Sequence, residues 1–179
     1  MRSHITEKDF SNEIWLLEHP SVFTLGTAAD NSHILDPKDI PVVQSDRGGE
    51  VTYHGPGQLV IYFLLNIKKL GSGPNKLVVS IQEFIKELLS DLSIESSFIE
   101  GAPGVYVNDK KIASIGLRIS KNKTYHGISI NFDMDLKPFT YINPCGYEGL
   151  EVTQIKDLNR SISKLQLEEL VIEKLRHIF

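Results

Sequence analysis

Cys145 stands in the stretch INPCGYEG, between a proline and a glycine, where the chain lacks the periodicity of a helix or a strand. A free cysteine is commonly a small buried hydrophobe; the alternative is a nucleophile. The flanks favour chemistry. Proline restrains the backbone before the thiol, glycine leaves the sulfur approachable, and a following N–H could point at a developing oxyanion. A thiol of pKa about 8.5 is only a few per cent ionised at neutral pH, so a nucleophile here needs a cation beside it. His54 and His126 each precede a glycine and could form a cysteine-histidine pair. Lys111 heads the apolar run KIASIGLRI, where partial desolvation would lower an ammonium pKa and a thiolate partner would raise it again. Spacing alone does not choose among the three.

A second chemical feature is SDRGGEVTYHGPGQ, residues 45–58, which holds four of the chain's 13 glycines between apolar, strand-like segments. Glycine loses more backbone entropy on ordering than any other residue, so such a cluster marks tight turns or a place where a ligand meets the main chain.

The elements that must position these groups follow from pattern. EIWLLEH and SVFTLG read as short strands around a turn at Pro20, and PVVQS as another. QLVIYFLLNI is almost continuously apolar and β-branched or aromatic, which suits a central strand covered on both faces. GSGP breaks the chain. Leu77, Val78, Ile81, Phe84, Ile85, Leu88, Leu89 and Leu92 then follow the spacing of an amphipathic helix. Asn108 and Asp109 tolerate the positive φ of a two-residue hairpin turn, with strands on either side and Lys111 just past the tip. Ile128, Ile130 and Phe132 alternate with Ser129, Asn131 and Asp133, a strand with one apolar and one polar face. LKPFTYINPCGYEGLEV reads as an irregular connection. Ser163 and Gln166 form a capping box ahead of Leu167, Leu170, Val171, Leu175 and Ile178 on one helical face. The sum is an α+β (mixed α/β) fold: a mixed sheet of about six or more strands flanked by at least two helices.

Composition bounds the function. With 179 residues, 41% of them hydrophobic, the chain is expected to form one catalytic-size domain over residues 1–179. No run reaches the roughly 18 apolar residues of a membrane span, and MRSHITEKDFSNE lacks the apolar core of a signal peptide, so a cytoplasmic protein without a membrane partner is expected. A single cysteine excludes an intramolecular disulfide and a multi-cysteine zinc site. Net charge of -4 and a pI of about 5.9 argue against nucleic acid as the main partner. Locally, Lys110, Lys111, Arg118, Lys121 and Lys123 come without an acidic residue between them, a patch that could meet an acidic partner.

Four stretches taken together, RGGEVTYHGPGQ, GAPGVYVNDKKIASIGLRI, HGISINFDMDL and INPCGYEG, resemble the octanoyltransferases of lipoate biosynthesis, in that family's order and over about residues 13–155. The resemblance implies the fold of lipoate-protein and biotin-protein ligases. It implies acyl-substrate binding by Arg47, Gly48, Gly49, Glu50, Val51, Thr52, Tyr53 and His54, by Ser114, Ile115 and Gly116, and by Gly127, Ile128 and Ser129. It makes Cys145 the nucleophile and Lys111, rather than a histidine, its partner. The implied reaction takes octanoyl from octanoyl-acyl carrier protein, through a cysteine thioester, to the lysine of apo lipoyl domains of 2-oxoacid dehydrogenase complexes and the glycine cleavage H protein. It uses no cofactor, ATP or metal. Protein substrates acidic near their attachment sites would give the basic run a steering role, with the oxyanion held by N–H groups near Cys145 and in the glycine loop. Family members usually carry a longer segment before the strand aligned with EIWLLEHP, which leaves open whether a sheet edge or pocket cover differs here. The rival readings are an ATP-dependent lipoate or biotin ligase, a non-catalytic module for lipoyl domains or acyl chains, and a thioesterase-like hydrolase. A ligase or a binder would need no nucleophilic cysteine.

Overall fold

A computed structural model describes residues 11–69 and 73–178. The reading of the opening ten residues and the first part of the GSGP break lie outside the described residues. In chain order the elements are β1 (Glu13–Leu17), β2 (Val22–Leu25), β3 (Val42–Gln44), β4 (Thr52–His54), β5 (Gln58–Leu64), α1 (Pro74–Asp91), β6 (Ser97–Ile99) and β7 (Ala102–Val107). There follow β8 (Lys110–Ile115), β9 (Arg118–Ser120), β10 (Lys123–Tyr125), β11 (Gly127–Asn131), the single turn α2 (Ile155–Leu158) and α3 (Lys164–Ile178).

The largest sheet runs β1-β5-β11-β8-β7-β6, and its neighbours pair antiparallel. A second sheet, β3-β2-β4, holds the parallel pair β2 with β3, while β9 and β10 form a hairpin of their own. The strands on either side of Pro20 therefore part company into different sheets. The α+β expectation holds, with the parallel pairing confined to the small sheet.

α1 starts with Pro74 at its first position, where a missing N–H costs nothing. Its buried stripe, Leu77, Ile81, Phe84, Ile85, Leu88 and Leu89, packs with Leu167, Val171 and Leu175 of α3 against Leu59, Ile61 and Phe63 of β5 and Ile128 and Ile130 of β11. Each such side chain stabilises by roughly 1.5–3 kcal/mol relative to exposure. Gln166 N–H donates to the Ser163 hydroxyl and Ser163 N–H to the Gln166 carbonyl, the reciprocal box that starts α3. Ile178, expected on the same face, is exposed at the frayed end. A second apolar cluster, Phe23, Leu25, Val51, Tyr53, Met134, Phe139 and Ile142, lies under the small sheet.

Alternation along the strands then makes a site between the sheets. β5 turns Leu59, Ile61 and Phe63 to the helices and Val60 and Tyr62 the other way; β2 and β4 bury Phe23 and Tyr53 and leave Val22, Thr24, Thr52 and His54 facing the large sheet. β11 has the expected apolar and polar faces. Its polar residues Ser129 and Asn131 are as buried as its apolar ones, because this face looks into the molecule rather than into water. Among the described residues no helix is long and apolar enough to cross a membrane.

Candidate active site

Lys111 and Cys145, 34 residues apart, meet: the Lys111 Nζ donates to the Cys145 Sγ at 3.0 Å and to the Pro103 carbonyl at 3.0 Å. The hairpin delivers the lysine. Asn108 and Asp109 take φ of 49° and 63°, the turn expected from their chemistry, and β8 begins one residue later. The chain beyond the cysteine then clamps the lysine backbone, since Lys111 N–H donates to Glu151 O (2.9 Å) and Thr153 N–H to Lys111 O (3.0 Å). Only 2% of Lys111 is exposed, and its stem crosses Gly104, where a Cβ would lie 2.9 Å from the lysine Cε. Burial pulls this ammonium's pKa down, but the cysteine sulfur and the Tyr106 hydroxyl more than offset that and hold it above the ordinary lysine value.

Cys145 sits in a single turn, Pro144–Gly146, with φ 58° and ψ 21°. A left-handed conformation is uncommon for a side-chain-bearing residue and marks a backbone held by its surroundings. Its N–H donates to Val51 O at 3.0 Å, which joins the cysteine turn to the glycine-rich loop. The adjoining Gly146 and Tyr147 N–H groups donate to Asn143 O and Pro144 O. The expected oxyanion donors on this turn are therefore already engaged.

Arg47 shapes that loop. Its guanidinium is buried and donates to the Thr24 hydroxyl (2.9 Å) and carbonyl (2.6 Å), Gly48 O (2.8 Å) and Glu50 O (2.5 Å). Burial pulls its pKa to about 10, against the opposing pull of Cys145 and Glu50, so it stays charged at neutral pH. With Gly49 O accepting from Ala28 N–H and Val51 O from Cys145 N–H, each carbonyl from residue 48 to 51 has a partner. The glycine-rich loop thus has its carbonyls engaged, two of them by the Arg47 guanidinium, and its Gly48 N–H donates to Gly116 O.

A cavity of about 250 Å³ opens beside Cys145. Of the residues singled out in the sequence, Arg47, Gly49, Glu50, Val51, Thr52, His54, Ser114, Ile115, Gly116, Gly127, Ile128, Ser129 and Cys145 line it. Gly48, Tyr53 and Lys111 do not. Gly48 packs on Leu117 O and donates to Gly116 O; Tyr53 points into the second apolar cluster and meets the Ser21 hydroxyl. Neither histidine proposed as a thiol partner bonds the sulfur. His126 Nε2 pairs with Asp46 at 2.9 Å and His54 Nδ1 with Gln58 at 2.7 Å. The basic run is also divided: Lys111 is buried, Lys110 pairs with Glu151, and Arg118, Lys121 and Lys123 lie on the separate β9–β10 hairpin. Sequence reasoning missed His19, Val60 and Tyr62 in the lining, and it missed the buried pair Gln58 and Asn131. Gln58 and Asn131 are register partners of β5 and β11, a signal visible only once the strands are paired.

The Gln58 amide donates to Tyr53 O (3.2 Å) and Asn131 Oδ1 (2.9 Å), so its Oε1 accepts from His54 Nδ1–H. His54 is then a neutral imidazole, and burial pulls its pKa from 6.5 to about 4. Between those values the unfolded chain binds more protons there than the folded one. The stability this group contributes is therefore present above about 6.5 and is lost as pH falls, by on the order of 3 kcal/mol. Burial lowers His19 and His126 as well, with the same sign. Melting temperature followed from pH 7 to 4.5 should fall, and less steeply in His54→Gln; equal slopes would assign the acid loss to other groups.

Residues 2–176 match the family described as the lipoyl protein ligase A/B catalytic domain. The chain belongs to that family. It is 55% identical over 150 residues to an octanoyltransferase of Pseudomonas putida (strain W619), an alignment covering 84% of this chain and 70% of the relative. It is 49% identical over 177 residues to an octanoyltransferase of Marinomonas sp. (strain MWYL1), covering 97% and 83%. Among solved structures, the bipartite lipoate protein ligase of Thermoplasma acidophilum, studied with its E2 lipoyl domain, superposes with a TM-score of 0.65 at 13% identity, covering 93% of this chain and 70% of that one. Biotin protein ligase of Aquifex aeolicus superposes with a TM-score of 0.54 at 18% identity, covering 86% and 66%. Those likenesses concern the fold. The relatives at about half identity place the chain, within the lipoyl ligase A/B family, among acyltransferases.

Proposed function

We infer that this chain, acting as one catalytic domain, transfers an octanoyl group from octanoyl-acyl carrier protein to the lysine amine of apo lipoyl domains through a Cys145 thioester. The observation that carries the reading is the buried Lys111 ammonium donating to the Cys145 sulfur at the edge of a largely apolar cavity. The Cys145 thiolate attacks the thioester carbonyl, the carbon–sulfur bond to the carrier breaks, and Lys111 gives its proton to the departing thiolate. Neutral Lys111 then takes a proton from the acceptor amine as that amine attacks the acyl-enzyme. Collapse forms the amide and restores the Cys145 thiolate beside the Lys111 ammonium. Thioester to amide is downhill, so no nucleotide enters.

The charge on the tetrahedral oxygen would be met by the Gly49 and Glu50 N–H groups of the glycine-rich loop, because the Gly48 N–H and those of the cysteine turn already donate to carbonyls. The acceptors would be lipoyl domains of 2-oxoacid dehydrogenase complexes and the glycine cleavage H protein, with Arg118 and Lys121 of the β9–β10 hairpin attracting acidic surfaces. Incubation with octanoyl-acyl carrier protein in the absence of ATP, followed by intact and peptide mass analysis, should place one octanoyl group on Cys145 and move it to an added apo lipoyl domain. An acyl transfer that requires ATP would turn the reading to the ligase alternative.

A further inference from the structure

The cavity runs across the strands of the large sheet. In register, Ser114 of β8 faces Ser129 of β11, and Ser129 faces Val60 of β5, a row of small side chains from the cysteine side toward β1. The neighbouring row ends differently: Gly127 of β11 faces Tyr62 of β5. A Cβ at Gly127 would fall 1.9 Å from Ile61 O, so the floor there is bare backbone up to the tyrosine. Neighbouring strands lie about 4.8 Å apart, which puts β5 roughly 10 Å from β8 across the floor.

At that end the lining changes character. His19, in the connection after β1, meets the Tyr62 hydroxyl at 2.6 Å, its ring 5.6 Å from that of His54, and the His126 ring stands edge-on to Tyr62 at 5.9 Å. Asp46 holds His126 from behind. Among the described residues no group of histidine, cysteine and carboxylate side chains is arranged to hold a metal ion. His19 and His54 bond the uncharged partners Tyr62 and Gln58, and burial disfavours the charged form of both rings, which suits an apolar chain end. His19 and Tyr62 bond each other, with the rings of His54 and His126 packed beside them, and a longer chain can pass only by parting that pair. Each extra methylene gains hydrophobic burial, but here it meets polar atoms already paired with each other.

We propose that the hydrogen-bonded His19–Tyr62 pair closes the far end of the acyl groove and sets the upper limit on the length of the transferred chain. The proposal rests on the acyltransferase reading of the cavity. Its test is single-turnover acylation of Cys145 by hexanoyl, octanoyl, decanoyl and dodecanoyl pantetheine thioesters, read by rapid-quench mass spectrometry. The wild-type rate should fall beyond octanoyl by roughly tenfold or more. His19→Ala should raise the dodecanoyl-to-octanoyl ratio by about tenfold, and Tyr62→Phe, which removes one hydroxyl, should raise it less. His19→Trp should shift the limit the other way, lowering octanoyl relative to hexanoyl. A merely structural His19 would change all the rates together. Ratios unchanged in the three variants, with wild type acylated by octanoyl, would overturn the proposal and leave the acyltransferase reading standing. A wild-type chain that no thioester acylates would overturn both.

Discussion

Cys145→Ala is expected to form no octanoyl-enzyme, and Lys111→Met to form it at least about a hundredfold more slowly than the wild-type chain. Methionine is the informative replacement because it keeps the unbranched length of lysine without the charge. Arginine would not report on charge alone: its planar guanidinium is larger than an ammonium, cannot serve as a base, and would have to be seated between the Cys145 sulfur and the Pro103 carbonyl, each 3.0 Å from the Lys111 Nζ. The two half-reactions should then separate by pH. In Lys111→Met, acylation should recover as pH rises, because hydroxide then removes the thiol proton and supplies the thiolate that the ammonium no longer stabilises. Amide formation should stay slow until the acceptor's own amine, of pKa about 10.4, loses its proton. Rapid-quench mass spectrometry across pH 7 to 10 would follow both steps. Full activity in Cys145→Ala would remove the covalent mechanism, and a Lys111→Met enzyme with both steps unimpaired at neutral pH would remove Lys111 from it.

How much of this was visible in the sequence depends on the range of the cause. α1, β5 and the Asn108–Asp109 turn follow from side-chain period and turn chemistry, which act over a few neighbouring residues, and each stands where expected. β4 was not visible. Its three residues sit inside a glycine-rich loop and become a strand only by pairing with β2, some thirty residues earlier. What buries the polar face of β11 was not visible for the same reason: alternation tells the two faces apart but not what covers them. The lysine–cysteine pair lies between these cases. Residue chemistry named Lys111 as one of three partners for the thiol, resemblance to a family chose it, and the geometry brings its Nζ to 3.0 Å of the sulfur while both histidines bond elsewhere. His19 and Tyr62 left no local sign, since neither their spacing nor their neighbours suggest that they meet.

Gly26 is a residue whose importance is tertiary, and Gly26→Ala should be strongly damaging although it adds a single methyl group. It closes SVFTLG, where a glycine after a strand reads as an ordinary stop. In the fold it lies under the glycine-rich loop: a Cβ there would stand 2.0 Å from Gly49 O and 2.7 Å from Arg47 Nη1. Neither can yield cheaply. Gly49 O accepts from Ala28 N–H, Arg47 O accepts from Thr27 N–H, and the Arg47 guanidinium gathers the loop carbonyls around itself. The loop must lift, and with it the Val51 carbonyl that holds the Cys145 N–H. Overpacking of this kind costs about 1–3 kcal/mol, or roughly 3–10 °C of melting temperature in a chain this size. The loss of acylation should exceed what that destabilisation explains, by about a hundredfold, because the displaced loop faces the reacting carbonyl. Gly49→Ala is the control. A Cβ there meets nothing closer than 3.6 Å, so the left-handed φ of 85° is its main penalty, about 1–2 kcal/mol, with a smaller effect on rate. Scanning calorimetry and single-turnover acylation of the two variants would settle the order. A Gly49→Ala enzyme slower than Gly26→Ala would mean that the loop is not seated on Gly26.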